Sequence, residues 1–175
     1  MDTIWQEPDP LEKQVLFRSV VNEADTAERI LMVFGLLRTM LYGLGSQTMK
    51  PQAVRAHVHR ILAAVAFLRE GLTDKPEDPF HCAFKRFYNH LHRQIIDALR
   101  DHNPAGYRAA ARSIEMLISE AHAPAFIGHC LEQSEWRDHR LTFVLERLFV
   151  LGPKTEPMRA PAPSQSANFI PLRFS

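Results

Sequence analysis

The sequence predicts an all-α protein: an antiparallel up-and-down four-helix bundle with an N-terminal amphipathic cap segment, an extra C-terminal helix and a disordered tail. Three observations predict it. Apolar residues recur every three or four positions through most of the chain. Proline and polar clusters punctuate these runs at intervals suited to long helices. Valine and isoleucine fall at helical rather than alternate spacing, so their strand preference is overridden. The expected divisions are a cap segment over 1–22, a helical bundle over 23–123, the additional helix over 124–151, and a flexible tail rich in Pro, Ser and Ala over 152–175.

The cap segment carries Leu16, Phe17 and Val20 on one side of a piece from about Leu11 to Val21, and a polar break, Asn22 to Thr26, separates it from the bundle. The first bundle helix starts at Thr26. Its stripe is Ile30, Phe34, Leu37, Leu41 and Leu44. Asp25 or Thr26 supplies the capping oxygen, Glu28 sits in the first turn, and Gly43 and Gly45 weaken the far end. The second opens at Pro51, a favoured first-turn residue, and carries Val54, Val58, Ile61, Val65, Leu68 and Leu72 up to a stop at Thr73 to Pro76.

Asp78 caps the third helix, with Pro79 in its first turn and Phe80, Phe84, Phe87, Leu91, Ile95 and Ala98 along one face. Asn103-Pro104 ends it and begins the fourth, striped by Tyr107, Ala110, Ile114, Leu117 and Ala121. Short links between long helices make neighbours antiparallel. Beyond Pro124 a further helix is expected over about 135–151, with Leu141, Val144, Leu145, Leu148 and Leu151 buried and Gly152-Pro153 as its stop. The end of the tail, ANFIPLRF, is apolar enough to act as a docking peptide.

At 175 residues the chain suits one domain with a real core. A formal net charge of +1 lacks the basic excess of a phosphate-binding surface, so nucleic acid is not an expected partner. No run approaches the roughly 18 to 20 apolar residues that span a bilayer, and MDTIWQEPDP lacks the marks of a secretory signal. A cytoplasmic protein without membrane insertion is expected, with Cys82 and Cys130 as free thiols.

Nine histidines raise metal and phosphotransfer chemistry. His57 and His59, like His90 and His92, are two apart and diverge on a helix, and no H-E-x-x-H or paired cysteine accompanies them, so neither a metal nor another cofactor is expected. A phosphoryl carrier on His57 or His59 would need only one accessible imidazole; VRAHVHRILAAV vaguely resembles the histidine phosphotransfer domains but lacks the small residue they place after the histidine. No G-x-S-x-G turn, glycine-rich phosphate loop or set-apart carboxylate pair points to an enzyme.

Two stretches resemble the flagellar secretion chaperones of the FliS family. Phe17, Glu23, Asp25-Thr26-Ala27 and then Ile30, Leu31, Val33 and Phe34 match the family's aromatic residue, polar stretch, cap and apolar helix start. Phe87-Tyr88-Asn89-His90-Leu91-His92-Arg93-Gln94-Ile95 then matches its L-Y-x-Y-(M/L)-x-x-R-L pattern in register. The likeness runs from about Phe17 to Ala121. Gly35-Leu36-Leu37 stands where the family has Tyr-Asp-Gly, and Leu99 where it has Asn, which marks a divergent member.

The resemblance implies a non-enzymatic export chaperone. It would hold a disordered amphipathic helix of flagellin, the C-terminal segment or that of a similar secreted protein, in an apolar groove and prevent premature polymerisation, with a component of the export gate as a further partner. Phe84, Tyr88, Leu91 and Ile95 are the expected client-binding residues, and Leu16, Phe17 and Val20 the cover that swings aside. A phosphotransfer bundle, or a helical adaptor that binds through its tail, is the alternative.

Overall fold

The computed structural model describes residues 10–46, 49–70, 77–120, 122–132 and 138–149. These form seven α-helices and, among the described residues, no strand: α1 (Pro10–Glu23), α2 (Thr26–Ser46), α3 (Pro51–Glu70), α4 (Pro79–Arg100), α5 (Pro104–Leu117), α6 (Ala123–Glu132) and α7 (Asp138–Phe149). The tail from 150 onward, Thr73 to Pro76, Leu72, Ala121 and Leu151 lie outside the described residues.

Helix starts coincide with the polar punctuation. Before α2 the cap is reciprocal: Glu28 N–H donates to Asp25 Oδ1 at 2.8 Å and Asp25 N–H donates to Glu28 Oε2 at 2.9 Å, which satisfies two donors left over by the first turn. Asp78 Oδ1 accepts from Phe80 N–H at 2.9 Å, and Asn103 Oδ1 from Ala105 N–H at 3.0 Å, each one residue ahead of a first-turn proline. Between α4 and α5, His102 takes a left-handed φ of 49°. That kink lets Asn103 N–H reach Ala98 O and His102 N–H reach Leu99 O, closing the last turn of α4 in a Schellman arrangement.

Helix α2 organises the core. Ile30, Val33, Phe34, Leu37, Leu41 and Leu44 are buried, and Met32, Leu36 and Met40 pack against the same core from another side. A helix this broadly apolar must be covered from several directions, and α3, α5, α6 and α7 all pack on it. Helix α4 sits against α3 and α5. Helix α1 has α7 as its main neighbour, so it lies outside the layer that covers α2.

Three expectations need correcting. The buried edge of α4 is His81, Phe84, Tyr88, Leu91, Ile95 and Ala98; Phe80 is exposed and Phe87 only partly buried, because the inward line starts one position later. The region after Pro124 holds two helices rather than one. Neither is an appendage: Phe126 and Cys130 of α6 and Leu141, Val144, Leu145 and Leu148 of α7 belong to the common core.

Glycines separate close packing from open space. At Gly106 an added Cβ would fall 2.7 Å from Ala98 Cβ, so the absence of a side chain there lets α5 approach α4. At Gly43 a Cβ would meet nothing within 4 Å. Gly43→Ala is therefore expected to raise stability by about 0.5–1 kcal/mol through helix propensity. Gly106→Ala is expected to lower it by about 1–3 kcal/mol through overpacking. Urea unfolding of both variants checks the pair, and equal effects would refute the close-approach account.

Candidate partner-binding surface

The residues expected to line a client groove lie in the core. Phe84 is 7 % exposed, Tyr88 1 %, and Leu91 and Ile95 0 %. The chain's own side chains fill that seam. Phe126 of α6 meets Phe34 edge-on with ring centroids 5.0 Å apart and lies 5.1 Å from Phe84, while Phe84 and Phe34 each stand 6.5 Å from Tyr88. The cover over this aromatic pocket is thus α6 and not the N-terminal segment.

Helix α6 is a slight element. Among its described side chains Phe126 and Cys130, four residues apart and hence on one face, are the buried ones. Burial of Phe126 contributes roughly 1.5–3 kcal/mol, and a ten-residue helix has little stability of its own. Beneath it the Tyr88 hydroxyl is buried and has no hydrogen-bond partner among the described residues. Burial, with the neighbouring Cys130 as a smaller cause, pushes its pKa well above the ordinary 10. Burial likewise pushes the Cys130 thiol from 9.0 up to about 12.

The groove-cover residues are placed otherwise than expected. Phe17 stacks flat on Phe149 of α7, centroids 3.7 Å apart, and Val21, one helical turn on, is buried. Leu16 and Val20 point away at 59 % and 54 % exposure, so they shield nothing. Leu11 and Val15 form a second i, i+4 pair, exposed as well. Helix α1 carries apolar side chains on several sides and buries only the side that faces α7. Arg29 ties its end to α2, donating from Nε to Val21 O at 2.9 Å.

A concavity of about 580 Å³ lies where the α2–α3 link meets the α4–α5 turn, lined by Leu44, Met49, Val54, Arg55, His102 and Arg108 among others. Arg108 donates to the Gly45 carbonyl, and the Ser46 hydroxyl to Tyr42 O at 2.7 Å. Among the described residues its lining holds no carboxylate or thiol. His57 is half-buried with Nδ1 2.8 Å from Ala53 O, and His59 is exposed on the same helix. Among the described residues no three His, Cys, Asp or Glu side chains gather as metal ligands, and no helix is long and apolar enough to cross a membrane.

No protein-family model matches the chain, and no curated protein and no solved structure is significantly similar to it. The surface chemistry therefore carries the functional reading.

Two outcomes test the buried site. Tyr88→Phe removes an unpartnered hydroxyl, so stability is expected to stay level or rise by up to about 1 kcal/mol, whereas Tyr88→Ala should cost about 3–5 kcal/mol. A large loss in the Phe variant, seen by denaturant titration, would contradict the buried placement. For Cys130 the folded pKa lies above the unfolded one, so the unfolded chain loses its proton first as pH rises. Its stabilising contribution is whole below pH 9.0 and falls away towards pH 12. Between those limits the wild type should lose stability faster than Cys130→Val by about 1.4 kcal/mol per pH unit. Parallel pH curves would show that the thiol is not buried.

Proposed function

We propose that this chain is a non-enzymatic, cytoplasmic export chaperone related to the flagellin-specific family. In this reading α2 to α5 make the antiparallel up-and-down bundle, and α1 is the element that meets the client. The client is a disordered amphipathic helix of flagellin or of a similar secreted protein, held so that it does not polymerise early.

The observation that carries the reading is the exposed apolar pair Leu16 and Val20 of α1, each more than half exposed, with Leu11 and Val15 exposed on another side of the same helix. Neighbouring large apolar side chains left in water mark an interaction site when they form a contiguous patch. The pair Leu16 and Val20 lies about 140° round the helix from Leu11 and Val15, so an amphipathic client helix would lay its own stripe along Leu16 and Val20. Burying each side chain contributes roughly 1.5–3 kcal/mol before costs, and ordering the client takes back about 2–5 kcal/mol. Two such anchors, roughly 3–6 kcal/mol before that cost, give weak and reversible binding, as a chaperone that must release its client requires.

This reading reverses the expected role of the N-terminal segment from cover to dock. The double variant Leu16→Asp, Val20→Asp should abolish binding of the purified C-terminal segment of flagellin in calorimetry, while helicity and melting temperature stay as in the wild type. Undiminished or tighter binding would contradict the proposal, since a cover that is weakened releases its groove.

A further inference from the structure

We propose that the aromatic pocket beneath α6, formed by Phe34, Phe84 and Tyr88, is a second helix-binding site. Its ligand is a helix that carries an aromatic residue and, four positions on, a small apolar or thiol side chain. In this structure α6 is the ligand in place, bound from within the same chain.

The fit of α6 in its pocket defines the partner. Phe126 enters between Phe34 and Phe84 with centroid separations of 5.0 and 5.1 Å, distances at which edge-on and tilted rings attract. Cys130, one helical turn later and 2 % exposed, closes the pocket next to Tyr88. Leu131 is 51 % exposed, while Ile127 is partly buried and packs against the core beside the two anchors.

Among the helices that pack on α2, α6 is the shortest, and among its described side chains only Phe126 and Cys130 are fully buried, with Ile127 partly so. Elements with few buried contacts open before the rest of a fold does. When α6 leaves, it uncovers an apolar pocket with a buried hydroxyl at its floor. The Tyr88 O–H has no acceptor among the described residues while α6 is seated, so a partner that offered a carbonyl or hydroxyl oxygen there would gain a hydrogen bond that α6 does not supply. Helix α6 then acts as a tethered competitor, whose high local concentration keeps weak ligands out.

The probe is a labelled synthetic peptide of the sequence Ser119 to Glu132, with its cysteine replaced by alanine. The Phe126→Ala variant of the full chain should bind it at least about tenfold more tightly than the wild type, because the tethered competitor has lost its anchor. A peptide that also lacks its phenylalanine should bind neither. Absence of binding to the variant, or equal binding to variant and wild type, would overturn the proposal. Should Phe126→Ala fail to fold, the unaltered chain decides: excess peptide should quicken iodoacetamide labelling of Cys130, located by mass mapping, and no change in rate would overturn the proposal. Flagellin takes no part in either experiment, so the result is separate from that of the chaperone reading.

Discussion

The breadth of the apolar surface on α2 is the constraint on which the rest depends. One row, Ile30, Val33, Phe34, Leu37, Leu41 and Leu44, is fully enclosed, and a flanking row of Met32, Leu36 and Met40 is half enclosed. Such a helix is unstable in water until partners surround it. Helices α3 and α5 cover part of it, and α6 and α7 cover the remainder, which is why these two helices belong to the core. With those places taken, α1 is left to pack on α7 in an outer layer, held by the Phe17–Phe149 stack.

That layering connects packing to function. A helix in the outer layer has one main neighbour, and α1 has apolar residues on more sides than one neighbour can bury. Its surplus, Leu11, Val15, Leu16 and Val20, faces out. At the opposite extreme, the aromatic pocket at Phe34, Phe84 and Tyr88 is closed, but by the shortest of the described helices. The two features are complementary: an open apolar surface on a well-formed helix, and a closed apolar pocket under a lightly held one.

Much of this is legible in the letters. The starts of α2, α4 and α5 can be read from Asp25, Asp78 and Asn103 with their prolines or Glu28, since capping chemistry is local. The buried rows of α2, α3 and α7 can be read from spacing. Other features are hidden. Helix α6 escapes because Phe126 and Cys130 are only two anchors, with Gly128 between them, and two anchors make no periodic pattern. The role of Phe84, Tyr88, Leu91 and Ile95 is easily misread because a stripe says that a face is buried, not whether its cover comes from the same chain. The direction of α1 is equally hidden: with Leu16 and Val20 on one side and Phe17 and Val21 on another, spacing does not choose which pair faces in.

Site-specific photocrosslinking tests the central claim, that the outer face of α1 is the client dock, most directly. A benzophenone side chain placed at Leu16 should crosslink to the C-terminal segment of flagellin, whereas one placed at Met116, an exposed apolar position on α5 at 68 %, should not. Crosslinks of equal yield from both positions, or from Met116 alone, would contradict the account.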